Sequence, residues 1–426
     1  MTTNAWFDDR LAAWLQEDSE HRVPEHLGEV LELTQPMRQR AWWSSPERWL
    51  PLDATLRLAP APKFAWLLVV LGLVLALGVA AALVGSPPNL PPPFGLARNG
   101  PVIYSRDGDI FRFDPVSNST TTLVTGAPND AGPYWSRDGQ TIVFLRETDD
   151  GSTLVMTARA DGSDVRPVTS PLEDIGWYDW SADGRLFALI SQVDSQGAIT
   201  VARTDGTAPV TLELPLDVQF ATFRGPDARE LVFRGIDQSN GMVALYTVSV
   251  DGSNLKTITP AKAGRLGSYQ QPITSPDGSH VAYTAFENAP GTSIGTLFVH
   301  VLDLASERDV VIPAPLDGDG APYAQGYAAF SPDGKTLLMQ RLVENDGLEW
   351  VVAPADGSAL PRQIGPTMNK TAQQGSPFWE FTPDGTAVVI ADMEQQVVLV
   401  FPLDGGEPTT LPFDGENLPS TQRQAP

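Results

Sequence analysis

Three patterns of apolar and polar positions divide this 426-residue chain. Phe64 to Val84 is an uninterrupted run without one charged side chain; at 1.5 Å per residue its helix would be roughly 30 Å long, the thickness of a bilayer's hydrocarbon layer. Ahead of it, Trp6, Phe7, Leu11, Trp14 and Leu15 recur at helical spacing. Pro24 opens a second helical stripe of Leu27, Val30, Leu31 and Thr34, so the sequence predicts a small α-helical segment over residues 1–63. Beyond residue 100 the period changes to two, in short β-branched and aromatic runs such as Thr141-Ile142-Val143-Phe144, and Asp-Gly pairs interrupt them. That is the signature of short strands joined by tight turns.

These strands repeat as a unit. An aromatic residue or its substitute precedes a turn and an alternating strand in WSRDGQTIVF (135–144), WSADGRLFAL (180–189), FRGPDARELVF (223–233), TSPDGSHVAY (274–283), FSPDGKTLLM (330–339) and FTPDGTAVVI (381–390). Their aspartates stand at 138, 183, 227, 277, 333 and 384. Proline presets the first turn position, Asp bonds the backbone ahead of it, and Gly takes the positive φ that re-enters a strand. A second Asp-Gly turn follows in most units, as in LYTVSVDGS (245–253). Four short antiparallel strands per unit describe a propeller blade, in which Trp135, Trp180, Phe330 and Phe381 are expected to wedge between neighbouring blades. Six full units and an opening fragment (101–125) lacking a first strand predict about seven blades, one of them three-stranded. A six-bladed ring is the alternative. In the copy at 223, Ala228 stands where Gly is expected and Gly225 lies upstream, which predicts a different turn there.

The motif series resembles the TolB-like, WD40-like propeller repeat over nearly all of residues 100–412. The resemblance implies an all-β fold but not one function, since such propellers serve as docking platforms, peptide-binding modules and gates on peptidases. Trp6 to Leu52, with PERWLPL at 46–52, resembles the N-terminal part of bacterial membrane proteins related to anti-sigma factors. That resemblance implies a sigma factor or other transcription factor as a cytoplasmic partner. The chain has no cysteine, so the zinc form of that module is excluded, together with disulfides and thiol chemistry.

Charge narrows the partners. The net charge is −24, concentrated after residue 84, where 21 basic residues face 42 acidic ones; this excludes nucleic-acid binding and predicts a cationic partner. Arg48, Arg57 and Lys63 precede the apolar run and only Arg98 closely follows it, which predicts a cytoplasmic N-terminus and an extracytoplasmic propeller. Gly72, Ala76 and Ala80 recur every four residues, a pattern that permits weak dimerisation within the membrane. Trp6, Trp14, Trp42 and Trp43 give a short segment more aromatic surface than it can bury alone, so they are candidates for a partner or for the membrane interface.

Chemical motifs are few. Gly291-Thr-Ser293-Ile-Gly295 has the spacing of a nucleophile elbow, but no helix pattern follows it and a loop is expected. Gly334-Lys335-Thr336 lacks the upstream glycine of a phosphate-binding loop and is expected to be a blade turn. Asp317 and Asp319 are weak calcium candidates whose spacing turns alone would also produce. His280 and His300 fall on strand patterns. No catalytic residue or cofactor is predicted. The expected organisation is a cytoplasmic segment (1–63), a membrane helix (64–84), a Pro-rich linker (85–99), a propeller (100–413) and a tail (414–426). The expected function is a membrane-anchored, non-catalytic protein- or peptide-binding or sensing domain. A transmembrane regulator is the alternative, ahead of a hydrolase or lactonase.

Overall fold

The computed structural model describes residues 95–425 apart from positions 127–128, 173–174, 182–183, 194–195, 261, 264–269, 289–294, 345–346, 370–378, 393–394, 396 and 415–418. The chain divides into two units, 1–89 and 90–426, and the described residues all belong to the second. The expected helical segment, Phe64 to Val84, and Trp6, Trp14, Trp42 and Trp43 therefore lie outside them. Among the described residues no helix is long and apolar enough to cross a membrane.

Seven antiparallel sheets make a seven-bladed β-propeller. The innermost strands are Ser420–Gln424 in blade 1, Asp130–Trp135 in blade 2, Trp177–Trp180 in blade 3 and Asp217–Arg224 in blade 4. Gln270–Thr274, Gln325–Phe330 and Trp379–Phe381 follow in blades 5, 6 and 7. The described Asp-Gly turns close as their sequence requires. In blade 2 the Gly139 N–H donates to Ser136 O at 2.8 Å. Asp138 Oδ1 accepts from Ser136 Oγ at 2.6 Å and from the Gln140 N–H at 3.0 Å. Ser275/Asp277, Ser331/Asp333 and Thr382/Asp384 repeat this network. Gly334 sits in such a turn, as expected. In blade 4 the turn differs: Gly225 and Ala228 both take positive φ, 70° and 51°, so an alanine bears the left-handed backbone.

The core lies between blades. Trp135 of blade 2 packs with Ile103 and Ile110 of blade 1, Trp180 of blade 3 with Val143 and Val155 of blade 2, and Phe381 of blade 7 with Leu338 and Trp350 of blade 6. The aromatics before the turns are thus wedges, and Trp180 is completely buried, worth several kcal/mol of transfer and cavity free energy.

The first blade corrects the expected count of its strands. It is four-stranded, because Ser420–Gln424, within the stretch read from the sequence as a tail, pairs with Arg98–Arg106 and supplies the missing inner strand. Polar contacts hold the seam on both sides. The Ala97 N–H donates to Pro383 O at 2.8 Å, and Asn99 and Asp384 exchange hydrogen bonds of 2.9 and 3.0 Å. On the other side, Gln422 Nε2 donates to Gly139 O at 2.6 Å. A Cβ at Gly139 (φ 68°) would lie 2.4 Å from Arg423 O, so the turn of blade 2 admits only glycine against the closing strand.

Candidate functional site

The propeller axis is surrounded by the innermost strands, and their backbone departs from regular β geometry at one recurring place. Two residues oppose one on the neighbouring strand between Ala131 and Tyr134, Gln270 and Ile273, and Gly326 and Ala329; the ladder of blade 4 slips likewise between Gln219 and Ala221. The bulged residue stands three positions before the wedge each time, as Gly132, Phe220, Gln271 and Tyr327, with φ of 57°, 50°, 35° and 49°. Glycine takes this conformation freely, whereas Phe, Gln and Tyr are strained by roughly 1–2 kcal/mol each. Bulges re-aim side chains, and four in register give the axis a collar that a regular strand would not. Tyr327 is 42 % exposed and meets Trp379 of the next inner strand edge-on, with ring centroids 6.0 Å apart. In sequence, the matching positions of blades 3 and 7 hold Trp177 and Phe378.

One position before the wedge lies a second tier: Tyr134, Asp179, Thr222, Ile273, Ala329 and Glu380 in blades 2 to 7. Its polar members bond across blades. Asp179 Oδ2 accepts from Thr222 Oγ1 and from the Phe223 N–H, both at 2.8 Å, and Glu380 Oε1 accepts from the Thr421 N–H at 2.8 Å. Tyr178 Oη donates to Gly132 O at 3.3 Å. Glu380, Tyr134 and Tyr178 are half-buried, and the two tyrosines pack against the core between blades 2 and 3. Burial pushes the Glu380 carboxyl up to about 8, only partly offset by the Thr421 bonds. Burial also raises Tyr134, with the nearby Glu380 charge acting in the same direction, and lifts Tyr178 to about 12. Nearer the turns, burial first and Arg137 second depress Arg423 to about 10, while Arg137 lies 4.0 Å from Asp179. The innermost strands and their turns thus bring together aromatic residues at the bulges, carboxyl groups in the second tier and Arg137 and Arg423 toward the turns.

Other candidates fall elsewhere. Asp317 Oδ1 accepts the N–H groups of Asp319 and Ala321 at 2.9 and 2.8 Å, closing a local turn. Among the described residues no three His, Asp or Glu side chains are placed to hold a metal ion. Ser293 lies outside the described residues. A cleft of about 580 Å³ borders the blade 4 turn, but its charges are paired internally, with Arg224 2.6 Å from Glu230. Sequence reasoning missed the collar: the third residue before each wedge is Gly, Trp, Phe, Gln, Tyr or Phe, and the four aromatics among these six were the available signal.

No family model matches the chain. The uncharacterised peptidase YuxL of Bacillus subtilis is 23% identical over 181 residues, 42% of this chain and 25% of that protein, so the chain matches about a quarter of that relative's length. Among solved structures, the periplasmic gluconolactonase PpgL of Pseudomonas aeruginosa is 17% identical, over 77% of this chain and 99% of that one, with a TM-score of 0.52. The propeller domain of the Trilobed protease from Pyrococcus furiosus is 13% identical over 76% and 99%, with a TM-score of 0.52. That domain has an open velcro topology. TolB from Acinetobacter baumannii is 16% identical over 77% and 81%, with a TM-score of 0.48. At these identities the likeness is one of fold: a seven-bladed propeller resembling those of the gluconolactonase and the Trilobed protease.

Proposed function

We propose that the propeller is a non-catalytic recognition domain that takes a cationic protein segment or peptide at its axial mouth. The carrying observation is the set of bulges at Phe220, Gln271 and Tyr327, because backbone strain of this kind clusters where side chains are presented to a ligand. Aromatic faces together with the Asp179 carboxylate suit Lys and Arg side chains, and the acidic propeller steers such a partner toward it. On this reading the apolar run at 64–84 anchors the propeller on the extracytoplasmic side of a membrane.

The test is to pan a random phage-displayed peptide library on the full-length protein. Recovered peptides should be rich in Lys and Arg, bind more weakly as salt rises, and lose about tenfold or more in affinity to Tyr327→Ala and Trp379→Ala. Peptides that bind both variants as tightly as the wild type would remove the axis from consideration. One observation favours a second, catalytic reading. A carboxyl titrating near 8 where water reaches it, Glu380, is the kind of proton donor hydrolases use. Turnover of any lactone or ester in a substrate panel that is lost in Glu380→Gln would establish that reading instead.

A further inference from the structure

A chemically labile dipeptide locks the seam that closes the ring. Asn99 lies in Arg98–Arg106 of blade 1, beside the Asp384 turn of blade 7, 285 residues away in sequence. Its Nδ2 donates to Asp384 Oδ2 at 2.9 Å, and its Oδ1 accepts the Asp384 N–H at 3.0 Å. A side-chain amide supplies both a donor and an acceptor, which a carboxylate does not. The next residue is Gly100, where a Cβ would lie 2.9 Å from Gln424 Cγ and 3.0 Å from Gln422 O on the closing strand, so the close approach demands glycine. The seam therefore imposes Asn-Gly, the pair whose amide is lost most readily, because no Cβ hinders attack by the following nitrogen. Asn99 is exposed to water. The ladder with the closing strand is irregular between Asn99 and Val102, so Gly100 falls at a break in regular pairing.

We propose that Asn99 is a deamidation site guarded by the closed seam, and that its conversion fixes the ring open. The Gly100 nitrogen attacks Asn99 Cγ; a C–N bond forms, the Cγ–Nδ2 bond breaks, and ammonia leaves with the Gly100 proton. Water then opens the five-membered imide at either carbonyl to give aspartate or isoaspartate. While the ring is closed, the two bonds to Asp384 hold the amide in place, and reaction waits for the seam to open. Aspartate at this position sets a carboxylate against Asp384 Oδ2 in place of a donor. Isoaspartate adds a methylene to the backbone and shifts the pairing of Arg98 and Asn99 with Gln424 and Arg423. Either product opposes reclosure.

Asn240-Gly241 is the second such pair; its side-chain bonds stay within one turn, to Asp237 and Met242, so it serves as an internal reference. The experiment incubates the full-length protein near 37 °C and pH 8 and follows aspartate and isoaspartate at both sites by peptide mass spectrometry. In urea the two sites should convert at rates within about threefold of each other. In the folded protein Asn99 should lag Asn240 by about tenfold or more, and Gln422→Ala, which removes the bond to Gly139 O, should shrink that lag by about threefold or more. Asn99→Asp should melt a few degrees below wild type at pH 7, with the gap closing near pH 3, where the introduced carboxyl regains a proton to donate. Conversion of Asn99 as fast as that of Asn240 in the folded protein, a rate unchanged by Gln422→Ala, or an Asn99→Asp variant as stable as wild type at pH 7 overturns the proposal.

Discussion

Glu380→Gln offers the sharpest test of the axial tier. In the unfolded chain this carboxyl titrates near its ordinary 4.5, whereas in the ring burial lifts it to about 8. Between those values the folded state holds a proton that the unfolded state releases, so stability is fully present below about 4.5, falls as pH rises toward 8, and levels off above. Each tenfold change in proton affinity is about 1.4 kcal/mol, which sets a ceiling near 5 kcal/mol; partial access to water brings the expected loss to roughly 2–4 kcal/mol. Glutamine keeps an oxygen for the Thr421 N–H and carries no titrating proton, so the variant should lose this slope. For a propeller of about 330 residues, unfolding entropy near 2 cal/mol/K per residue converts 2–4 kcal/mol into roughly 3–6 °C of Tm. Thermal unfolding of wild type and variant should nearly coincide at pH 4.5 and separate by that amount at pH 8.5, with the variant the more stable. Parallel profiles across the whole range would show that Glu380 titrates as an exposed carboxyl and that the tier is open to water.

Other consequences can be measured as directly. Gly139→Ala drives a methyl group into Arg423 O at a left-handed position and should lower stability by about 2 kcal/mol or more, seen as a lower Tm and faster proteolysis. Trp180→Ala empties a fully buried wedge and should cost about 3–5 kcal/mol in chemical unfolding. Tyr327→Gly should instead be nearly neutral. Relief of the left-handed strain offsets the removal of the ring that packs edge-on against Trp379, so stability should stay within about 1 kcal/mol of wild type while axial peptide binding falls.

The ring was legible in the sequence wherever a physical rule ties residue type to geometry. Asp-Gly demands a tight turn, a β-branched run demands a strand, and the large aromatic before each turn has nowhere to go but between blades. The closing strand was not legible, since Ser-Thr-Gln-Arg-Gln at 420–424 has no apolar alternation; its place comes from the unpaired edge of Arg98–Arg106, a partner more than 300 residues away. The collar escaped for a related reason. Period-two reasoning assumes a regular strand, and nothing in the letters Phe220 or Tyr327 announces a positive φ. His300, read as an ordinary strand histidine, does sit on a strand.

The seam in blade 1 also sets a timetable. A ribosome delivers Ser420–Gln424 more than 300 residues after Arg98–Arg106, so through most of the propeller's synthesis the first hairpins have no inner neighbour. Contacts of such long sequence separation form slowly, and in the interval Arg98–Arg106 presents bare N–H and C=O groups to any strand it meets. A nascent or prematurely terminated chain is therefore an open ring prone to pair with its own copies. Arrival of Ser420–Gln424 converts it to a closed one, so this one strand acts as a checkpoint on the whole propeller.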